Sequence, residues 1–328
     1  MGIKIQDIAY VRFSAPDLDE MEAFLVDFGM VRAERTSDTL YMRGLDEDPF
    51  LHVTHQSEPR FVAAGFEAAS VKDLETLAQQ ENASIVQLDG PGGGSVVRLS
   101  DPNGFEIEVV AGRTAVARIE TPAPAPINDA HATLRLNALK RLPRGPSQVK
   151  RLGHCVLNVN NFRESEAWYK SRFGLITSDE INLGSPEQVL GAFLRCDRGP
   201  ISSDHHTLFL LGTGKPGFNH AAFEVADFDD LMCGHDWLKE KGRRHEWGVG
   251  RHLLGSQIFD YWRDPWRHTL EHWTDGDPLR NESRSHLDRT RRLLPPPGRP
   301  RGQGQGHYRH RPQARRAGLP RPLRRSHL

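Results

Sequence analysis

Apolar residues recur along this chain in two alternating patterns. Short runs such as Ile8-Ala9-Tyr10-Val11 and Cys155-Val156-Leu157 read as strands. Each is followed by an amphipathic stretch with helical spacing, Leu18 to Gly29 in one case and Phe162 to Gly174 in the other. Both stretches end in Phe-Gly and an apolar residue (Phe28-Gly29-Met30, Phe173-Gly174-Leu175), and glycine is a natural helix stop. A second pair of runs matches, Phe61 to Glu67 against Phe218 to Glu224, and each leads into another helix-like stretch near 71–80 and 228–242. A third pair starts at an Asp-Pro turn, Asp101-Pro102 and Asp264-Pro265, and reaches Glu108 and Glu271 at the same distance. The pattern predicts an α+β protein in which a strand–helix–strands unit occurs four times, two units in each half.

The repeat makes one half a reference for the other. His154, His220 and Glu271 fall where the first half has Tyr10, Ala63 and Glu108. Two imidazoles and one carboxylate on one face of an ion leave its opposite face open, a donor set suited to non-haem Fe(II). On this reading the second half holds a metal and the first cannot. Side chains alternate faces along a strand, so Thr269 and Trp273 share the side of Glu271, while His268 and His272 point away and are poor ligands. His52 and His55 also face opposite sides of a strand and read as structural. Glu108 reads as the remnant of a lost site, paired or solvated, because a free buried carboxylate is costly.

Composition narrows the setting. The 328 residues suffice for two domains with good cores, and 37% hydrophobic content is ordinary. No run is long and apolar enough to span a membrane and no signal peptide is visible, which suggests a cytoplasmic protein without a membrane partner. Cys155, Cys196 and Cys233 form no zinc pattern and no disulfide framework, and read as small core residues. The predicted organisation is a metal-free module at 1–115, a Pro-rich linker at 116–148 opened by Thr121-Pro-Ala-Pro-Ala-Pro126, a catalytic module at 149–280, and a tail at 281–328. The basic stretch from Arg141 to Lys150 is expected to lie along an acidic body. From Arg284 onward there are 13 arginines and one acid, so the zero net charge hides a body that is acidic by about a dozen. The tail cannot bury enough apolar surface to fold alone. It reads as a disordered extension or a shifted reading frame rather than a nucleic-acid arm, since only Tyr308 interleaves the arginines.

Several motifs resemble the two-domain type I extradiol ring-cleavage dioxygenases of the vicinal-oxygen-chelate superfamily. They include Gly-His-Cys-Val-Leu-Asn-Val (153–159), Phe-Asn-His-Ala-Ala-Phe-Glu (218–224), Gly-Arg-His (250–252), Gly-Ser-Gln-Ile-Phe-Asp-Tyr-Trp-Arg-Asp-Pro (255–265) and Leu-Glu-His-Trp (270–273). The resemblance spans about residues 6 to 280 and is weaker in the first half. It implies two tandem modules of four βαβββ units forming two incomplete barrels, often assembled as a homo-oligomer. It implies Fe(II) held by His154, His220 and Glu271, with Fe against Mn left open. It places an acid–base histidine on His205, with His206 as the neighbouring alternative, and donors to substrate oxygens on His252 and Tyr261. The implied partners are a small aromatic diol and O₂, in a ring opening beside the two hydroxyls. Leu208, Phe193, Ile201 and Leu253 are candidates to set pocket size. A glyoxalase-like lyase or isomerase would want a fourth protein ligand, and a small-aromatic binding or resistance protein would have lost the ligands altogether.

Overall fold

The computed structural model describes residues 2–185 and 188–281, so the readings made of the arginine-rich tail lie outside the described residues. The first unit runs β1 (Ile5–Ala15), α1 (Leu18–Asp27), β2 (Val31–Arg35), β3 (Thr39–Arg43) and β4 (His52–Gln56). The second runs β5 (Arg60–Ala68), α2 (Val71–Glu81), β6 (Ile85–Gln87), β7 (Ser95–Ser100) and β8 (Glu106–Ala111). The third has β9 (Val149–Val159), α3 (Phe162–Phe173), β10 (Ile176–Asn182), β11 (Val189–Arg195), a short β12 (Ser203–Asp204) and β13 (Leu208–Gly212). The fourth has β14 (Gly217–Val225), α4 (Phe228–Glu240), β15 (Arg244–Arg251), β16 (Ile258–Arg263) and β17 (Thr269–Thr274), after which β18 (Pro278–Leu279) pairs with β12.

Local chemistry starts each helix where the pattern asked for one. Asp17, Ser70, Asn161 and Asp227 sit in extended backbone and accept hydrogen bonds from amides of the first turn, satisfying donors that the helix leaves open. Gly174 closes α3 at φ 65°, a left-handed position that glycine adopts without strain.

Each half builds an eight-stranded sheet with the same order, β2-β3-β4-β1-β5-β8-β7-β6 and β10-β11-β13-β9-β14-β17-β16-β15. The central strands pair antiparallel (β1 with β5, β9 with β14) and are flanked by parallel neighbours. Among the described residues neither sheet joins its edge strands, so each stays open. Register coincides as well. Tyr10 lies opposite Gly65, which lies opposite Glu108, which lies opposite Arg98. In the second sheet the row is His154, Ala222, Glu271, Tyr261.

The two sheets share one hydrophobic core. Phe13 meets the edge of Phe218 at 5.2 Å, Phe66 stacks near Phe173 at 6.0 Å, and Phe28 stacks on His272 at 3.8 Å. His272 also donates Nε2–H to the carbonyl of Phe28 at 2.7 Å. Residues 112–148 contain no helix or strand. They lie against the body: Ile119 N–H donates to the Leu45 carbonyl at 2.8 Å, Arg144 pairs with Glu240, and Lys140 pairs with Asp229.

Candidate metal centre

The row across β9, β14 and β17 brings the predicted ligands together. Residues directly opposite on neighbouring strands share a face, so His154 and Glu271 project on the same side with the small Ala222 between them. His220 lies two residues before Ala222, on that face again. His154 Nε2 is 3.3 Å and His220 Nε2 is 3.2 Å from the same Glu271 oxygen, Oε2. These are the separations of atoms that share one ion with bonds of about 2.0–2.2 Å. Glu271 is fully buried, and neither of its carboxylate oxygens has a hydrogen-bond partner of good geometry. Burial alone would push its carboxyl up, but the imidazoles of His154, His220 and His252 outweigh burial and hold it well below the usual range. Burial depresses His154, favouring the neutral imidazole that ligates a metal. His220 donates Nδ1–H to Asn219 Oδ1 at 2.8 Å, which leaves Nε2 free for an ion. An orphaned buried carboxylate facing two such nitrogens fits a divalent cation.

The first half shows what the same row does without a metal. Tyr10 donates to Glu108 Oε2 at 2.7 Å, Arg12 Nη2 lies 3.0 Å from that oxygen, and Arg98 Nε lies 2.7 Å from Oε1. Burial again raises the carboxyl, and Arg12 with Tyr10 and Arg98 brings it below its ordinary value. Glu108 is therefore paired. His52 and His55 diverge as alternation requires: His52 stacks on Phe13 at 4.8 Å, and His55 meets Arg12 at 2.7 Å. His268 and His272 likewise stand outside the group His154, His220 and Glu271.

A cavity of about 430 Å³ opens beside these ligands, lined by His154, His206, His220, Phe193, Phe209, His252, Leu253, Gln257 and Tyr261 among others. A second cavity of about 870 Å³ shares Phe209, His220, His252 and Tyr261 and reaches Phe61 and Phe105 of the first half. Tyr261 stands next to Glu271 in the row, and its hydroxyl is 3.0 Å from His252 Nε2. Burial, then the Glu271 charge, pushes the phenol far above its ordinary pKa, so it remains a donor.

The neighbouring histidines His205 and His206 take different places. His206, not His205, lines the cavity, with its ring 4.0 Å from that of His154. His205 turns to Asp179, with Nε2 2.8 Å from Oδ2, and its Nδ1 is 3.2 Å from Nδ1 of His206. Residues 205–207 form a bend between β12 and β13, so alternation counted back from Phe209 does not hold there. The candidates for pocket size divide as well. Phe193 and Leu253 line the smaller cavity, but Leu208 is buried in the core and Ile201 is exposed and lines neither cavity. Sequence reasoning missed Asn219, although the repeat carried the signal: its first-half counterpart is Val62. It also missed Gln257, which is buried on the cavity wall with Oε1 unpartnered.

Among the described residues no helix is long and apolar enough to cross a membrane. Residues 151–272 match the family described as the Glyoxalase/Bleomycin resistance protein/Dioxygenase superfamily. The chain is 29% identical over 279 residues to metapyrocatechase 2 of Cupriavidus necator, covering 83% of this chain and 82% of that one. It is 25% identical over 295 residues to an iron-dependent extradiol dioxygenase of Rhodococcus jostii, covering 86% and 93%. Among solved structures it resembles the 2,3-dioxygenase LapB of Pseudomonas sp. KL28, with TM-score 0.70, 18% identity, and 85% and 95% of the two chains covered. It also resembles a Mn(II)-bound glyoxalase of Novosphingobium aromaticivorans, with TM-score 0.69, 23% identity, and 85% of each chain covered. Its repeated architecture, its His-His-Glu site and these relationships make the chain a homologue of extradiol ring-cleaving dioxygenases, with residues 151–272 matching the glyoxalase/bleomycin resistance/dioxygenase superfamily.

Proposed function

We propose that this chain is an Fe(II)-dependent extradiol dioxygenase that opens an aromatic ring beside a vicinal diol. The observation that carries the reading is Glu271: a fully buried carboxylate without hydrogen bonds, faced by two imidazole nitrogens and bordered by a cavity. When bound, ferrous iron supplies a Lewis-acidic centre with open positions at which a diol and O₂ meet.

The chain's own residues complete the chemistry. His154, His220 and Glu271 hold the ion from one side. Phe193 and Phe209 give the cavity an apolar wall suited to an aromatic ring, with Leu253 at its exposed rim. Tyr261 and His252 present a phenol and an imidazole side by side, able to hold the diol oxygens by hydrogen bonds. His206 is placed to take a proton from the substrate side and return it to the opening ring. Behind it, His205 links His206 to Asp179, whose side chain is 45% exposed, so a proton can exchange with solvent.

A glyoxalase-like reaction would call for a fourth protein ligand. Among the described residues the ligand group contains three. The test is anaerobic loading with Fe(II), and separately Mn(II), followed by O₂ and a panel of mono- and bicyclic catechols. The expected result is a yellow ring-fission product that depends on the metal. A loaded, folded protein that consumes no O₂ with any diol would overturn the reading.

A further inference from the structure

A second group of ligating side chains lies on the other side of the second sheet. His235 on α4, His245 on β15 and Asp260 on β16 offer two nitrogens and a carboxylate oxygen within 4.8 Å of one another. Asp260 precedes Tyr261 and therefore faces away from the cavity. It is fully buried. Its Oδ2 lies 3.0 Å from His235 Nδ1 and accepts the Trp262 indole N–H at 2.6 Å, while Oδ1 lies 2.8 Å from His245 Nε2. The two imidazoles are edge-on at 5.0 Å. Among the described residues the ion pairs of Asp260 are with these imidazoles alone, with no lysine or arginine. A buried carboxylate in that position calls for a positive charge.

The fold does not demand polar groups here, as the other half of the repeat shows. Counted from the helix caps Ser70 and Asp227, the counterpart of His235 is Ala78. By register across β7–β8 and β16–β17, the counterpart of Asp260 is Val97. Ala78 and Val97 are both buried in the hydrophobic core. The second half has an imidazole and a carboxylate where the first closes with apolar contacts.

We propose that His235, His245 and Asp260 form a second divalent-metal site of the zinc class, which ties α4 to the β15–β16 hairpin. Two imidazoles and one carboxylate are a zinc donor set, with water completing a tetrahedron. The His245 side chain is 27% exposed and gives the ion its entry. The Trp262 indole holds the plane of the carboxylate, as outer partners of metal ligands do.

Zinc chloride is the probe, applied to the full chain after chelator treatment and dialysis, with bound metal counted by elemental analysis. The unmodified chain should retain two equivalents, His245→Ala one, Glu271→Ala one, and the double variant none. The single equivalent in Glu271→Ala should raise its melting temperature, and the double variant should lose that rise. Equal zinc in the unmodified chain and His245→Ala overturns the proposal, as does a folded Glu271→Ala chain that retains none. Should Glu271→Ala fail to fold, the one-equivalent difference between the unmodified chain and His245→Ala decides alone.

Discussion

Glu108 and Glu271 occupy the same place in two halves and meet opposite remedies for the same cost. Glu108 is neutralised by Arg12 and Arg98, whereas among the described residues the ion pairs of Glu271 are with imidazoles alone. Removing one partner of a buried pair leaves a charge uncompensated, at about 3–5 kcal/mol. Arg98 and Tyr10 stay on Glu108, so Arg12→Met should lower the unfolding free energy by only part of that, about 1–3 kcal/mol read from urea titration, and Arg12→Met with Glu108→Gln should regain most of it; no measurable loss would contradict the pairing. At the candidate active site, His206→Asn should retain iron and slow turnover by roughly 10²–10⁴-fold. His205→Asn, one imidazole further out, should cost less. The reverse ranking in single-turnover assays would restore His205 to the cavity role. The two candidate histidine ligands were legible because the internal copy has Tyr10 and Ala63 in their places, while Glu108 and Glu271 match. The choice between His205 and His206 was not, since it depends on a bend that periodicity does not encode, and the facing of Leu208 stayed open because the sequence does not fix it.

At the scale of elements, helical spacing closed by Phe-Gly, and the Asp-Pro turns, made the helices and the last strands of each half readable. The register of the two central rows is a structural result, and it explains a pair of residues that the sequence left mute. A Cβ on Gly65 would meet the Tyr10 ring at 2.7 Å, whereas the counterpart Ala222 lies beside the smaller His154. Ring size and the residue opposite thus change together. Gly65→Ala should destabilise the protein by about 1–3 kcal/mol through overpacking, and a neutral result in thermal unfolding would remove this account of the glycine. The short β12–β18 pairing had no signal, because two-residue strands carry no alternation to detect.

For the whole molecule, sequence periodicity showed two halves but not how they join. Which apolar faces meet is set by packing, and here they meet in one core. His52 and His272 are buried within it. Burial, with His268 nearby, pushes His52 down to about 3, and burial pushes His272 down to about 4. An unfolded chain takes up these protons near pH 6.5 while the folded chain refuses them, so stability falls as pH drops from 6.5 towards 4. Each such histidine costs about 1.4 kcal/mol per pH unit across that window. His52→Leu should flatten the fall in stability between pH 6.5 and pH 4.5 relative to the unmodified chain. Parallel pH slopes for the two proteins would show that His52 is not held neutral.

The shared core also bears on the ancestry of the molecule. Phe28 and His272 lie face to face, and Phe13 meets Phe218, so either half released by a recombination event would carry a broad sticky surface. A gene doubled and then welded in this way cannot shed its silent copy. The first half serves as a buttress, and substitutions there are freer on the face turned away from its twin.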